Sequence, residues 1–347
     1  MRHQNRDTAV LAAVVERYIR TGEPAPSSVI ATESGLGLSS ASIRAIMGRL
    51  TESGYLEQPH VSSGRVPTAK AFQIYVDAVL APRPLPPAQK SAISRELDLE
   101  NADISQILRR ASGVVSSHSL QLGVVLAPKR DELRWRTIEF SPVSANLVLA
   151  VLVLDGGLVR TRMVPVALEY SSDELAKFSN YLNRHFKGCT LSDARERIEM
   201  ELMLAGEELE EMYRQALALS CPALAAADED RDIFMDGMGQ VSHTSGFEDA
   251  ARLRELLSFM EERPKLLDLL ERTMESRDIS VSFIEGESGA TPWAVVSAPY
   301  ATSDGHAPLG VISALGLAHM NYATVLPVVA HIARSVARVM RCRLDIA

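Results

Sequence analysis

Two short stretches concentrate side chains suited to recognition chemistry. In "LSSASIRAIMGRLTESGYL" (Leu38–Leu56), Ser39, Ser40 and Ser42 bring hydroxyls to the start of a helical pattern. Arg44 points away from the apolar positions, and Arg49 sits on the flank. In "PHVSSGRVPT" (Pro59–Thr68), His60, Ser62, Ser63, Gly64, Arg65 and Thr68 form a small polar tip between apolar flanks. Hydroxyls and backbone N–H groups at a helix start can donate to phosphate, and an arginine can bond two acceptors on one base edge. Small residues at a turn allow a backbone to approach closely. Each group also has a plain reading: helix caps, solvated arginines, a surface histidine and an inert hairpin.

Catalytic chemistry has no comparable signal. The sequence holds no Gly-x-Ser-x-Gly elbow, Gly-rich phosphate loop, His-Glu-x-x-His or Cys-x-x-Cys. "SHTSG" around His243 and "DGHAPLG" around His306 place His, Ser and Asp in loop-like settings without partner spacing. Ordinary loop chemistry is the better reading there, so neither an enzyme nor a cofactor is expected. Cys189, Cys221 and Cys342 are too far apart for a disulfide framework or a zinc site, and read as small core residues.

The elements that must carry the two polar stretches belong to an ordinary globular chain. Its 347 residues, 46% hydrophobic and 23% charged, suffice for two or three domains. The longest purely aliphatic run, "LVLAVLVL" (Leu147–Leu154), is too short to span a bilayer, and the N-terminus lacks a signal-peptide core. A cytoplasmic protein without membrane contact is expected. The formal charge is −8, unevenly spread: residues 1–80 hold eight Lys/Arg against seven Asp/Glu, and the remainder carries −9. A near-neutral head on an acidic body fits nucleic-acid contact confined to one small face.

Residues 1–80 read as helix, helix, helix, hairpin, helix. Val10, Leu11, Val14, Val15, Tyr18 and Ile19 make one apolar stripe, and Gly22 and Pro24 end the first helix. A Ser-capped second helix stops at Gly35. The third, capped by Ser39 or Ser40, ends at Gly54, with Ile43, Ile46, Met47 and Leu50 on its inner face and Arg44, Ala45, Gly48 and Glu52 on the other. A fourth puts Phe72, Tyr75, Val76 and Val79 inward. Three helices alone fit DNA binding and plain packing equally. The polar hairpin directly after the third favours a winged helix, whose wing tip reaches the DNA backbone or minor groove.

"APRPLPPAQ" (Ala81–Gln89), with four prolines, is a stiff linker and domain boundary. A helix and the strand "LQLGVVLAP" follow. Next come "LRWRTIEFSPV", "NLVLAVLVLD" and "LVRTRMVPV", the last two joined by a tight turn at Asp155-Gly156-Gly157. Residues 171–219 are predicted helical throughout. Beyond Ile233 come helices over 247–261 and to about Met274, interrupted at Pro264. Strands "DISVSFIEG", "PWAVVSAPY" and "PLGVISALG" precede a final helix with Val325, Val329, Ile332, Val336 and Val339 on one side.

"YIRTGEPAPSS", "LSSASIRAIMGRLTESGYLEQPHVSSGRVPT" and "AFQIYVDAVL" resemble the bacterial heat-inducible transcription repressor family HrcA. The resemblance continues in "GGLVRTRMV", "IFMDGMGQV", "FEDAARLRELLSFMEE" and "VVSAPY", covering nearly the whole chain. It implies an α+β, multidomain protein: an N-terminal winged helix-turn-helix (1–80), the linker (81–89), a GAF-like antiparallel-sheet domain in two parts (90–131 and 223–347), and an inserted α/β dimerisation domain (132–222). It implies a homodimer binding the inverted-repeat operator CIRCE, double-stranded DNA upstream of chaperone operons, with the GroE chaperonin as partner. Carried onto matching positions, Ser39, Ser40, Ser42, Ile43 and Arg44 open the recognition helix, and His60 to Thr68 form the wing. The chain departs from the family pattern at Ala45, where Asn is usual, at Gln73, where an Arg is lost, and at His319, where Arg is expected. A different class of reading makes the GAF-like domain a small-molecule sensor. A packed scaffold is preferred, because no convergent polar cluster in "FIEGESGATPWAVV" or "VISALGLAHMNY" names a ligand.

Overall fold

The first apolar stripe folds as helix α1 (Arg2–Thr21), with Val10, Leu11, Val14, Val15 and Tyr18 buried and Ile19 at the margin. The computed structural model describes residues 2–60, 63–79, 84–98, 102–204, 211–224, 231–241, 250–275, 278–284, 293–301 and 308–343. Helix α2 (Ser27–Glu33) follows, but no serine caps it. Pro26 occupies the cap position in extended geometry and has no side chain to donate or accept. Glu33 instead clamps α2 to α1 through Arg17 (2.8 Å) and Arg20 (2.5 Å). Helix α3 (Ser40–Glu52), strands β1 (Leu56–Glu57) and β2 (Val66–Pro67), and helix α4 (Ala69–Ile74) with a π-helical turn at Tyr75–Val79 complete the head.

The expected linker is shorter than its prolines suggested. Pro87 begins helix α5 (Pro87–Leu97), because a proline in the first turn sacrifices no intrahelical hydrogen bond. Leu85 is buried, and residues 81–83 lie outside those described.

The body is built on a five-stranded antiparallel sheet. Its strands are β3 (Leu122–Leu126), β7 (Ile233–Asp236), β8 (Ser280–Ile284), β9 (Trp293–Tyr300) and β10 (Gly310–Leu317), in the order β7-β3-β10-β9-β8. Strands β3, β9 and β10 read as near-continuous apolar runs because both faces are covered. On one face, Val125, Val296, Ile312 and Ala314 join the core formed with α6 (Ile104–Ser119) and α13 (Tyr322–Arg343). On the other, Val124, Val295, Val311 and Leu315 pack with Leu256 of α11 (Ala250–Glu261) and Leu266 and Leu270 of α12 (Arg263–Glu275). A short helix α10 (Met238–Val241) follows β7. Helix α6 lies so close to β3 that a Cβ on Gly123 would sit 1.9 Å from the Ser112 carbonyl oxygen.

Between β3 and β7, which pair directly, the chain forms a second antiparallel sheet of β4 (Trp135–Ser144), β5 (Leu147–Leu154) and β6 (Val159–Pro165). The predicted Asp155-Gly156-Gly157 turn joins β5 to β6, both glycines at positive φ. Helices α7 (Ser172–Phe186), α8 (Leu191–Leu204) and α9 (Glu211–Leu224) follow. The stretch 171–219 is therefore not one continuous helical run. It breaks after α7, where Gly188 at φ +86 donates to the Trp135 carbonyl (2.8 Å). Helix α9 also runs past the expected boundary at 222. Asn183 on α7 clips this sheet, accepting from the Ile138 N–H (2.7 Å) and donating to its carbonyl (2.9 Å).

Alternation along β5 splits its apolar residues between two faces. Val148, Ala150, Leu152 and Leu154 are buried under helices, whereas Leu147, Leu149, Val151 and Val153 are only partly covered. Register places Val159 and Met163 of β6 opposite Val153 and Leu149 on that second face; they are 55% and 54% exposed.

Among the described residues, α13 alone has the length and hydropathy to cross a membrane. Its Val325, Val329, Ile332, Val336 and Met340 are buried in the protein core instead. Val339, expected with them, is only partly covered. Cys189 and Cys221 are half-buried, but Cys342 is exposed and is not a core residue. No group of three potential metal ligands gathers among the described residues. His243 and His306 lie outside them.

Candidate nucleic-acid interface

Helix α3 starts as its serines predict, and Ser39 is the cap. In extended geometry, its Oγ accepts from the Ser42 N–H (3.2 Å) and meets the Ser42 hydroxyl at 2.9 Å. Ser40, inside the first turn, reaches Ser27 Oγ on α2 at 3.3 Å and so helps set the angle between the two helices. The inner face, Ile43, Ile46, Met47 and Leu50, is buried. Ile43 has no exposed surface, so it positions the helix and presents nothing outward. Ser42, Arg44 and Ala45 are exposed on the opposite side. Arg49 is exposed but engaged, donating to Asp7 on α1 at 2.7 Å.

The C-terminal end of α3 is tied to the next element by two side-chain donors. Lys70 Nζ donates to the Ser53 carbonyl (3.2 Å) and lies over the Tyr55 ring. Thr68 Oγ1 lies within bonding distance of the Gly54 (2.9 Å) and Tyr55 (3.1 Å) carbonyls. That hydroxyl is committed to the scaffold.

The hairpin is a two-stranded ribbon whose second strand leads back from a further bridge to the α1–α2 connection. Strand β1 pairs with β2 in the register Leu56↔Pro67 and Glu57↔Val66. Arg65 then pairs with Ala25, in the α1–α2 connection, through N–H···O bonds of 2.8 and 3.0 Å. At the tip, Ser63 Oγ donates to the His60 carbonyl (2.7 Å) and accepts from its N–H (3.0 Å). Ser63 is thus the clasp of the turn. His60 is exposed, and Ser62 lies outside the described residues.

Two expectations for the tip change in physical meaning. A Cβ on Gly64 would fall 2.4–2.7 Å from the Ala25 backbone, so its smallness serves the ribbon and not only the approach of a ligand. Arg65 is partly buried, and its Nε donates to Thr51 Oγ1 on α3 at 3.0 Å. The arginine expected to reach outward is also a brace between wing and helix.

These elements enclose a groove of about 450 Å³ between α3 and the wing, lined by Arg44, Gln58, Ser63, Gly64, Arg65 and the start of α2. Its walls combine guanidinium, amide and hydroxyl groups with the apolar Ala25, Pro26 and Met47, and the polar part is suited to phosphate oxygens and base-edge acceptors. Sequence reasoning missed Gln58, which donates to the Ser63 carbonyl (3.1 Å), and Thr51, the partner of Arg65. Gln58 stands in the polar run before the turn and could have been flagged. Nothing in the local pattern marks Thr51.

The family model described as HrcA protein C terminal domain matches residues 105–326. Over 97% of this chain and 96% of its own length, the heat-inducible transcription repressor HrcA of Nitratidesulfovibrio vulgaris (strain DSM 19637 / Miyazaki F) is 48% identical. The Geobacter sulfurreducens repressor of the same name is 34% identical over 96% of this chain and 97% of its own. A solved crystal structure of a protein described as hypothetical shares the fold, with a TM-score of 0.60 at 19% identity, covering 97% of this chain and 98% of that one. The chain belongs to the HrcA family of heat-inducible transcription repressors.

Proposed function

We propose that this repressor acts as a homodimer that grips the CIRCE inverted repeat upstream of chaperone operons, one head on each half-site. The observation that carries the reading is the pairing of a Ser39-capped helix, exposing Ser42, Arg44 and Ala45, with a wing braced against it across one groove. Helix α3 would lie in the major groove, with its N-terminal residues at base edges and the wing along the backbone. Ser39, Ser40 and the wing tip would then position, and Arg44 would read. With Ala45 in place of the usual Asn, Arg44 carries more of the base discrimination.

Two arginines separate these roles. Arg44→Ala should weaken operator binding by about 1–3 kcal/mol and relax discrimination at one base pair. Arg65→Ala should weaken binding to all sequences alike and lower the slope of log affinity against log salt by about 1. Fluorescence anisotropy on single-base operator variants across a salt series measures both. Unchanged discrimination in Arg44→Ala would remove it as the reader. An unchanged salt slope in Arg65→Ala would leave that residue a brace only.

The dimer is assigned to the uncovered face of the β4–β5–β6 sheet, with a second copy of the chain as occupant. Leu149, Val151, Val153, Val159 and Met163 form an apolar stripe on that face, bordered by Thr137, Glu139 and Ser141 of β4, and among the described residues no element covers it fully. Packing it on its own copy gives an isologous two-fold contact, the symmetry an inverted repeat requires.

Heat relieves repression, in this reading, because the unfolded repressor needs GroE chaperonin to regain its binding form. After heating purified protein, recovery of operator binding should be faster or more complete with chaperonin and ATP. Equal recovery without them would sever that link. For the sensor alternative, a groove of about 240 Å³ lies between Ile19 of α1 and Gln121, His319 and Thr324 of the body.

A further inference from the structure

The head is held on the body by aromatic rings, not by the proline linker alone. Tyr18 (α1) and Phe72 (α4) come from the head; Phe283 (β8), His319 and Tyr322 (at the start of α13) come from the body. Phe72 stacks on Phe283 at 5.9 Å between centroids and 27° between planes, and lies 6.3 Å from Tyr322. Tyr18 meets His319 edge-on at 5.9 Å and 88°, and also contacts Phe72 at 6.2 Å. Phe283 and Tyr322 close the cluster at 6.4 Å, and the Tyr322 hydroxyl donates to the Ala318 carbonyl (2.6 Å), which holds its ring in place.

Interlocked rings fix orientation as well as distance, since offset and edge-to-face pairs lose contact on rotation. None of the five lines the groove between α3 and the wing, so the contact does not compete with the recognition surface. It leaves that surface open and settles where it points. A dimer whose heads hung only on a linker would accept half-sites at many separations, because a flexible tether adapts its span. A dimer with clamped heads engages both half-sites only at the matching separation and helical phase.

We propose that this five-ring clasp is the positioning element that sets the distance and phase between the two recognition helices, so the protein reads half-site spacing as well as half-site sequence. The proposal rests on the dimeric operator-binding reading above. Tyr18, Phe72, Phe283, His319 and Tyr322 are positioning residues and touch no nucleic acid.

The test uses full-length wild type, Phe283→Ala and His319→Ala, on CIRCE duplexes with the natural spacer or one longer by about half a helical turn, roughly 5 bp. Wild type should lose roughly 100-fold in affinity on the longer spacer, as the second head disengages, and Phe283→Ala less than about tenfold. His319→Ala removes only a rim ring and should fall between them; it carries the test if Phe283→Ala does not fold. Calorimetry should show the head melting separately from the body in Phe283→Ala. A wild-type spacer penalty in both folded variants overturns the clasp while leaving operator binding intact. Wild type that fails to distinguish CIRCE from scrambled DNA overturns the underlying reading, and the clasp proposal with it.

Discussion

Met163→Glu should convert the protein to a monomer and lower its operator affinity by roughly 10²–10⁴-fold, the advantage that simultaneous engagement of two half-sites confers. Met163 lies mid-strand on β6, across from Leu149, and is 54% exposed in the single chain. A carboxylate there is solvated in the monomer, so the protomer fold should survive. In the proposed dimer the same carboxylate would be buried against Leu149 and its diagonal neighbours Leu147 and Val151, a situation proteins avoid because desolvation exceeds any local gain. Sedimentation and an operator titration check the two parts independently. A variant that stays dimeric would remove this face as the interface.

Gly64→Ala should cost about 1–3 kcal/mol of head stability, as expected for an atom forced into a packed site. It should also weaken operator binding by more than Arg44→Ala does. The new Cβ would meet the Ala25 carbonyl carbon at 2.4 Å and its oxygen at 2.6 Å, and backbone cannot swing aside as a long side chain can. Relief requires separating Arg65 from Ala25, which breaks both bridge hydrogen bonds and shifts the guanidinium that braces Thr51. One methyl group therefore moves the whole wing relative to α3. Chemical denaturation, with binding measured below the transition, tests this; wild-type stability and affinity would show that the ribbon is not what holds the wing.

The two predictions draw on different layers of legibility. Helix α3 could be read from the chain because its cap, its apolar stripe and its terminating glycine are local signals that agree with one another. The hairpin was readable for the same reason: small polar residues sit at the tip between apolar flanks. The strands of both sheets were visible as apolar runs, and β5 even showed its excess of apolar residues. What could not be read are relations between distant positions. Arg65 and Thr51 are 14 residues apart, and Arg65 looks like any outward cation until the fold brings them together. Gly64 looks like a turn glycine, whereas its constraint comes from Ala25 across the ribbon. Ser27 looked like part of a helix cap, but Pro26 precedes it at the cap position. Phe72 reads as the inward face of its own helix, and it is; its ring also belongs to the body's core. Periodicity tells which face is buried, never against what.

Charge shows the same limit. A head of net +1 on a body of −9 says only that any polyanion must meet a small face. The structure sorts the head's arginines: Arg44 and Arg65 line one groove, while Arg49, Arg17 and Arg20 are engaged with Asp7 and Glu33. Cations that looked equivalent along the chain divide into those that only hold the head together, Arg44 that lines the groove, and Arg65 that does both.

The central claim is that two heads of one dimer read a two-fold operator through α3 and the wing. It is tested most directly by titrating a CIRCE duplex with full-length protein at physiological salt and measuring stoichiometry by analytical ultracentrifugation, with a scrambled duplex as control. The account predicts two protomers per CIRCE duplex and affinity at least about 10³-fold above the scrambled sequence. One protomer per duplex, or equal affinity for both sequences, would contradict it.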